Sequence, residues 1–139
     1  MQSKLNPYIN FEKNAREAML FYQTVFGGKL DLNTYGESGM GEEQGDPDQI
    51  MHAMLVADNG ITIMGADVPN GMAYSKGSNI SVSLSGDNEA ELTGYYNKLV
   101  EGGTALEPLA KAPWGDTFGM LTDKFGIGWL VNIVGTPQA

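Results

Sequence analysis

The chain has 139 residues, 42% apolar and 18% charged, which is enough for one globular domain but too short for a two-domain cofactor enzyme. Seventeen acidic residues against eight Lys and Arg give a net charge of −9, which disfavours nucleic acid and anionic membrane surfaces as partners. The absence of cysteine excludes disulfide frameworks, thiolate nucleophiles and zinc ribbons.

The chain also lacks the apolar segments that mark secretion or membrane insertion. The N-terminal residues, from Met1 to Pro7, contain no apolar run of signal-peptide length. No later stretch is apolar over enough residues to cross a membrane as a helix. We therefore expect a soluble cytoplasmic protein with no membrane partner.

The first half of the chain predicts one helix among four strands. Apolar residues recur at helical spacing after Asn14, and Glu17 completes a capping-box-like pair with Asn14. The helix is expected to end at Gly27-Gly28, which suits a left-handed C-cap. Apolar or alternating runs predict four strands, over Tyr8–Phe11, Lys29–Tyr35, Gln49–Val56 and Ile61–Gly65.

The second half predicts the same elements in the same order. Its helix follows Asn88, which pairs with Glu91 as a second capping box, and is expected to end at Gly102-Gly103. Four strands are predicted, over Asn79–Ser85, Thr104–Leu109, Thr117–Thr122 and Trp129–Val134.

The two halves are therefore an internal repeat. Each helix carries Asn, Glu three residues later, an aromatic pair at the seventh and eighth positions after Asn, and then Gly-Gly; the pairs are Phe21-Tyr22 and Tyr95-Tyr96. The chain is predicted to be a single domain, 1–139, of two βαβββ modules that span residues 4–67 and 78–134.

An acidic, glycine-rich loop, Gly36–Asp48, separates two strands of the first module. Between Leu30 and Ser75 the chain has eight acidic residues and no Lys or Arg. One interpretation is a solvated loop, which is the usual state of such segments. The other is an acidic lid that attracts cationic ligands; its acids are Glu37, Glu42, Glu43, Asp46 and Asp48.

Several longer motifs accompany the repeat. They are Asn6-Pro7-Tyr8-Ile9-Asn10-Phe11, Met51-His52-Ala53, and the run that begins Trp114-Gly115-Asp116-Thr117-Phe118 and ends at Trp129. With them the chain resembles the PhnB-like branch of the vicinal oxygen chelate superfamily, which includes glyoxalase I, extradiol dioxygenases and bleomycin-resistance proteins. The resemblance implies an α+β fold whose two tandem βαβββ modules form a curled mixed sheet, a ligand cup with helices outside, in a homodimer.

The resemblance also points to the positions at which metal-dependent members hold their ligands. These positions correspond to Asn6 or Pro7, a residue within Thr62–Met64, Asn79 and Asn132, none of which is His or a carboxylate. Neutral amides bind first-row divalent ions weakly, and the chain has a single histidine. We therefore predict no metal and no cofactor.

A methyltransferase label that some PhnB-like proteins carry has no support in the sequence. An adenosyl methyl donor generally needs a glycine-rich turn between a buried strand and a helix. The densest glycine cluster lies among acids and precedes no helix; its members are Gly36, Gly39, Gly41 and Gly45.

Strand alternation separates residues that face the helices from residues that face the cup. Ile9 and Phe11 are expected to face a helix, which leaves Tyr8 and Asn10 facing inward. In the second module the residues expected to face the helices are Ile80, Val82, Leu84, Trp129, Val131 and Ile133. The row Asn79, Ser81, Ser83 and Ser85 then faces either the cup or solvent, since antiparallel sheets often have one wet face.

The candidate ligand-binding residues are polar or aromatic side chains on these inward positions and on the turn before the seventh strand. They are Tyr8, Asn10, His52, Asn79, Ser81, Trp114, Phe118 and Asn132. The amides orient a ligand or bond neighbouring backbone. His52, placed on a face with Ile50, Met54 and Val56, is a general base or a hydrogen-bonded sheet residue. Asp67 either binds a cation at the rim of the cup or is an ordinary turn residue.

Three functions remain open at this point. The first is a metal-free protein that binds or sequesters a small organic molecule. If the loop is an acidic lid, we expect this molecule to be cationic. The second is a lyase, isomerase or dioxygenase-type enzyme, either metal-dependent or assisted by His52. The third is an interaction module whose cup is filled by its own side chains.

Overall fold

The computed structural model describes residues 3–39 and 45–135. It shows an α+β protein made of two compact units, whose boundary in the sequence lies between Ser75 and Lys76. Each unit contains one four-stranded mixed sheet and one helix, so the predicted βαβββ repeat is confirmed. Neither helix is both long and apolar enough to cross a membrane, within the described residues.

The first module has a parallel strand pair at one edge of its sheet. Its elements are β1 (Tyr8–Phe11), α1 (Ala15–Phe26), β2 (Lys29–Thr34), β3 (Ile50–Val56) and β4 (Thr62–Asp67). The strand order is β1-β4-β3-β2; β1 runs parallel to β4, and the other neighbours are antiparallel. One face packs against α1, and its core includes Phe11, Met19, Tyr22, Leu55 and Ile63.

The second module repeats this order. Its elements are β5 (Val82–Gly86), α2 (Glu89–Leu99), β6 (Thr104–Lys111), β7 (Thr117–Thr122) and β8 (Gly128–Ile133), and the strand order is β5-β8-β7-β6. Trp129 is 1% exposed on the helix-covered face, as predicted. It lies there with Leu84, Leu99, Leu121 and Val131.

The repeat extends to the turns between the third and fourth strand of each module. The Ala57 N–H donates to the Ile61 carbonyl at 2.8 Å, and the Asp123 N–H donates to the Ile127 carbonyl at 2.9 Å. In each module, one glycine of the Gly-Gly pair that follows the helix lies against this turn. A Cβ on Gly103 would be 2.2 Å from the Thr122 carbonyl oxygen.

The two helices begin differently, although both have Asn at the N-cap. The Asn88 side chain accepts a hydrogen bond from the Glu91 N–H at 3.0 Å, which confirms the predicted cap of α2. The Asn14 side chain makes no cap hydrogen bond. Instead the Ala15 N–H donates to the Asp67 carboxylate at 3.0 Å, so a residue from β4 caps α1.

Asp67 is a buried structural anchor, 3% exposed, and neither a rim ligand for a cation nor an ordinary turn residue. Its second carboxylate oxygen accepts from the Ile50 N–H at 2.8 Å, and its carbonyl accepts from the Tyr35 hydroxyl at 2.9 Å. A carboxylate in apolar surroundings needs such donors, and the first turn of a helix is where negative charge is favoured. Asp67 therefore joins β4, α1 and β3.

Asp123 has a comparable role in the second module. It is 3% exposed, and its carboxylate accepts from the Phe125 and Ile127 N–H groups at 2.8 and 3.0 Å. The other carboxylate oxygen accepts from the Trp129 indole at 2.9 Å. This carboxylate holds the β7–β8 turn and orients the largest core side chain.

Two predicted placements are wrong. Ile80 is 82% exposed and does not face a helix, because β5 begins at Val82. In this register Gly128, the first residue of β8, falls opposite Ser81, so Ile80 has no residue of β8 opposite it. Ile50 is fully buried and does not share a face with His52, because a register shift opposite Asn33 and Thr34 changes the alternation of β3.

We expect the Asp67→Ala substitution to lower the free energy of unfolding by about 2–5 kcal/mol, since it removes a helix cap and leaves buried N–H groups without an acceptor. Chemical denaturation measures this change. The control is Asp58→Ala, which removes an exposed carboxylate from the β3–β4 turn of the same module and should change stability by less than about 0.5 kcal/mol. Equal effects would contradict the anchor role.

The Gly103→Ala substitution should destabilise the chain by about 1–3 kcal/mol or more, because the added methyl group overlaps backbone atoms of Thr122 and Asp123. The matched control is Gly94→Ala within α2, where an added Cβ has no atom within 4 Å. This control should stabilise the chain by about 0.5–1 kcal/mol through helix propensity. Thermal unfolding of both variants tests the opposite signs.

Candidate functional site

Each sheet has one face that packs on its helix and another that does not, which we call the open face of that module. In the first module the open face carries Tyr8 and Asn10 from β1, and Met64 from β4 lies beside Tyr8. His52 and Met54 continue the face on β3. The predicted alternation of β1 is confirmed, since Ile9 and Phe11 are buried on the other side.

Tyr8 and His52 lie next to each other on this open face. Their ring centroids are 6.0 Å apart with the planes tilted by 46°. Partial burial raises the pKa of Tyr8 above its ordinary value of 10.0, so the hydroxyl stays protonated and can donate or accept a hydrogen bond at neutral pH. The pair thus offers a protonated phenol beside a half-buried imidazole ring.

A second tyrosine links this pair to the Asp67 anchor. Tyr35 is 2% exposed and donates its hydroxyl to the Asp67 carbonyl. Burial, the charge of Asp67 and the neighbouring Tyr8, in that order, raise the pKa of Tyr35. Tyr35 therefore stays protonated and donates to the Asp67 carbonyl, a role that local sequence patterns do not indicate because its partner is 32 residues away.

The open face of the second module is formed by residues of β5, β8 and β7. It carries Ser83 and Ser85 opposite Leu130 and Asn132, and Asn132 lies opposite Phe118. Ser81 precedes β5 but remains close to this face, because a Cβ on Gly128 would be 3.1 Å from the Ser81 hydroxyl. Asn79 is exposed outside the strand, so the structure does not bring it to the sheet.

Trp114 and Phe118 lie together at the end of this face. Their rings are 5.8 Å apart in an edge-to-face arrangement. Trp114 belongs to the turn between β6 and β7, where the Ala112 N–H donates to the Asp116 carbonyl at 2.7 Å. The turn leaves the Trp114 side chain 63% exposed.

Asp116 organises these residues and was missing from the predicted set. Its carboxylate accepts from the Asn132 side-chain amide at 2.9 Å and from the Gly135 N–H at 2.8 Å. Hydrogen bonds from the Asn132 side chain and the Gly135 N–H hold the pKa of Asp116 below its ordinary value of 3.8; burial opposes them, and the nearby Trp114 indole adds less than either. Asn132 is thus oriented by a carboxylate rather than by neighbouring backbone.

The structure therefore divides the predicted site residues between two faces. Tyr8, Asn10 and His52 share the open face of the first module. Ser81, Trp114, Phe118 and Asn132 belong to the second module. The described acids of the loop between β2 and β3 are exposed, namely Glu37, Asp46 and Asp48, while Glu42 and Glu43 lie outside the described residues.

The open faces do not fit a divalent metal ion. On β1, β4, β5 and β8 they present phenol, amide, thioether, hydroxyl and aliphatic groups, which are poor donors for such an ion. Residues 3–39 and 45–135 contain no group of three or more His, Asp or Glu side chains placed to hold a metal. Two of the expected ligand positions are also displaced, since β1 begins at Tyr8 and β5 at Val82.

The lowered pKa of Asp116 can be measured directly. A ¹³C NMR titration of its carboxyl carbon should give a value below 3.8, and the Asn132→Ala substitution should move it upward because the largest stabilising bond is lost. A carboxylate with a lowered pKa stabilises the folded state above pH 3.8 and loses this effect as pH falls through the folded value. A pKa unchanged by Asn132→Ala would contradict the hydrogen-bond assignment.

Solved structures of similar chains cover nearly all of this one. Protein PA1353 from Pseudomonas aeruginosa is 36% identical, with a TM-score of 0.82 over 95% of this chain and 98% of that one. A PhnB protein from Bacillus cereus, described as a putative 3-demethylubiquinone-9 3-methyltransferase, is 27% identical, with a TM-score of 0.75 over 95% of this chain and all of that one.

A more distant structure shares the fold, and a family model identifies the family. A glyoxylase/bleomycin resistance protein/dioxygenase domain from Frankia sp. EAN1pec, 13% identical, has a TM-score of 0.64 over 98% of this chain and 99% of that one, which shows a shared fold. Residues 3–132 match the family described as 3-demethylubiquinone-9 3-methyltransferase. The chain therefore belongs to this PhnB-like family and has the glyoxalase/bleomycin-resistance fold.

Proposed function

We propose that this chain is a metal-free protein of the PhnB-like and bleomycin-resistance type that binds a small organic molecule. One observation carries the proposal: the open face of each sheet presents hydrogen-bonding side chains beside aromatic and thioether side chains. Ligand sites typically combine an apolar lining with a few placed polar groups. The family and the fold are compatible with such a role.

The first module supports the proposal with a short row of polar groups among apolar ones. Tyr8 pairs with Met64 across the sheet, and Met64 pairs with Met54. Methionine adapts its shape to ligands and packs favourably on aromatic rings. Tyr8, Asn10 and His52 supply the hydrogen bonds that would orient a bound molecule.

The second module supports it with a preorganised aromatic end. The Asn132 amide donates to Asp116, and the Trp114 ring packs against the Phe118 ring, so both side chains are already positioned when a ligand arrives. Preorganised groups bind with a smaller entropic cost. The Asn132 oxygen remains available as an acceptor beside the Phe118 ring.

Methyl transfer from an adenosyl donor finds no support in the described residues. The glycine cluster after β2 lies in a connection between antiparallel strands, where the Gly36 N–H donates to the Pro47 carbonyl at 3.1 Å. The turns that lead from strand to helix run from Glu12 to Asn14 and from Asp87 to Asn88, and they contain no glycine. An adenosyl methyl donor is usually held at a glycine-rich strand-to-helix turn.

The charge of the chain favours a cationic ligand. The net charge is −9, and the stretch from Leu30 to Ser75 has no Lys or Arg. A field of this sign raises the encounter rate with cations and weakens as salt increases. The homodimer and the role of the 36–48 loop remain predictions.

The metal-free proposal predicts that purified protein carries far less than one transition metal ion per chain. Chelation with EDTA should leave its unfolding temperature unchanged, because the open faces supply no ligand set. Elemental analysis and a thermal scan measure both quantities. About one bound nickel, zinc, iron or manganese ion per chain, lost with a drop in stability, would overturn the proposal.

Binding itself is tested by a thermal-shift screen of small organic compounds, followed by ¹H–¹⁵N NMR mapping of each hit. Hits should perturb amides of the open faces, and Tyr8→Ala or Asn132→Ala should weaken a hit that maps to its own module by about tenfold, the effect of losing one or two good hydrogen bonds or ring contacts. Leu20→Ala is the control, since Leu20 is 45% exposed on α1.

Two outcomes of the same screen separate binding from the other candidates. Turnover of a hit that stops in His52→Gln would indicate an enzyme. Hits that map only to α1 and α2 would show that the open faces bind nothing.

A further inference from the structure

Trp114 is an exposed side chain that packs against a second aromatic ring. Its ring lies 5.8 Å from the Phe118 ring, and 63% of the residue stays accessible. The other tryptophan, Trp129, is buried and held by Asp123. An indole held against a second ring, with its remaining surface exposed, can receive a flat group with little reordering.

The Asp116 carboxylate places a negative charge near this indole, two residues further along the same turn. Its hydrogen-bond donors are the Asn132 side-chain amide and the Gly135 N–H, which are neutral, so no cation neutralises it through these contacts. Two carboxylate oxygens offer about four lone-pair sites, so these two donors leave acceptor positions open.

The positive charge that is nearest along the chain lies on the opposite face. Lys111 pairs with Thr117, while Ala110 pairs with Phe118. Because successive side chains of a strand point to opposite faces, Lys111 points away from the face that Phe118 occupies. The aromatic pair and the carboxylate thus form a negative, partly apolar corner.

We propose that Trp114, Phe118 and Asp116 form a recognition corner for a planar aromatic cation, such as an N-alkylated heteroaromatic ring. The inference rests on the proposed ligand-binding function and names the class of ligand for the second module. The cation stacks on the exposed indole, and its charge lies beside the carboxylate. Delocalised charge suits the site because it needs little desolvation and matches the negative face of the ring system.

A cation over an exposed indole gains about two- to fivefold in affinity relative to a neutral ring of the same shape. The adjacent carboxylate adds a comparable factor at low ionic strength, since its charge is only partly screened by solvent. We therefore expect a preference of about tenfold for the cation over its neutral counterpart. An anionic ring should bind most weakly, because the carboxylate repels it.

The test uses three probes of one shape: N-methylquinolinium, neutral quinoline and the anion quinoline-2-carboxylate. The full chain, ¹⁵N-labelled, is titrated at pH 8 and low salt while the two indole N–H signals are followed. The Trp114 signal should move with N-methylquinolinium at an affinity about tenfold above that of quinoline. The buried Trp129 indole is the internal reference and should not move.

Variants separate the two parts of the corner. Trp114→Ala, followed through the amide of Gly135, should weaken both N-methylquinolinium and quinoline by about tenfold or more. Asp116→Asn should weaken N-methylquinolinium by about two- to fivefold and leave quinoline unchanged. Glu101→Gln removes the same charge from an exposed turn after α2 and should change neither probe.

If Asp116→Asn disturbs the turn, the role of charge can still be tested with the unsubstituted chain. Raising the NaCl concentration should weaken N-methylquinolinium and not quinoline. Equal affinity for cation and neutral ring, an affinity insensitive to salt, or an unmoved Trp114 signal would each overturn the inference. Equal binding of all three probes at Trp114 would leave the proposed ligand-binding function standing, whereas screening hits that avoid both open faces would overturn that function itself.

Discussion

The first module depends on one buried carboxylate. Asp67 accepts the first free N–H of α1 and an N–H at the irregular end of β3, and its backbone carbonyl holds Tyr35. A buried carboxylate without these donors would cost several kcal/mol, so the helix, the strand and the charge must form together. The turn that precedes α1 follows from this anchor. Lys13 adopts a φ of 69°, a left-handed conformation that costs a non-glycine residue about 1–2 kcal/mol.

The two modules share a backbone plan but place their stabilising polar groups at different positions. The first module caps its helix from β4, through Asp67, whereas the second caps it locally, through Asn88. The second module instead buries a carboxylate in its β7–β8 turn, at Asp123, where the first has Ala57. Each module thus satisfies its buried donors on the helix side or in its turns, and its open face stays free for other chemistry.

The chemistry of the open faces follows from groups whose protonation states the fold stabilises. Tyr8 stays protonated because its pKa is raised, and Asp116 stays ionised because its pKa is lowered. The first can donate a hydrogen bond, and the second supplies a fixed charge beside Trp114. Such an arrangement suits recognition of an organic molecule, whereas a divalent ion would require several anionic or imidazole ligands at one point.

Local pattern determined the elements of this protein. The duplicated βαβββ order, β1 and β7, the bounds of α1 and the Asn88 cap could all be predicted, because strand alternation, helical periodicity and the Asn88 cap depend on residues close in the chain; the predicted Asn14 cap was wrong. The buried face of β1 followed from the same alternation. The resemblance then gave the family, which the comparisons confirm.

Tertiary structure decided what depends on distant partners. The Asp67 cap of α1 joins residues 52 positions apart, and the bond between Asp116 and Asn132 joins residues 16 apart. The start of β5 was set by where β8 offers a backbone to pair with. Sequence alone therefore determined which segments are strands and helices and that no cysteine or second histidine exists. Only the folded chain determined which polar groups are hydrogen-bond partners, because hydrogen bonds depend on distance in space rather than along the chain.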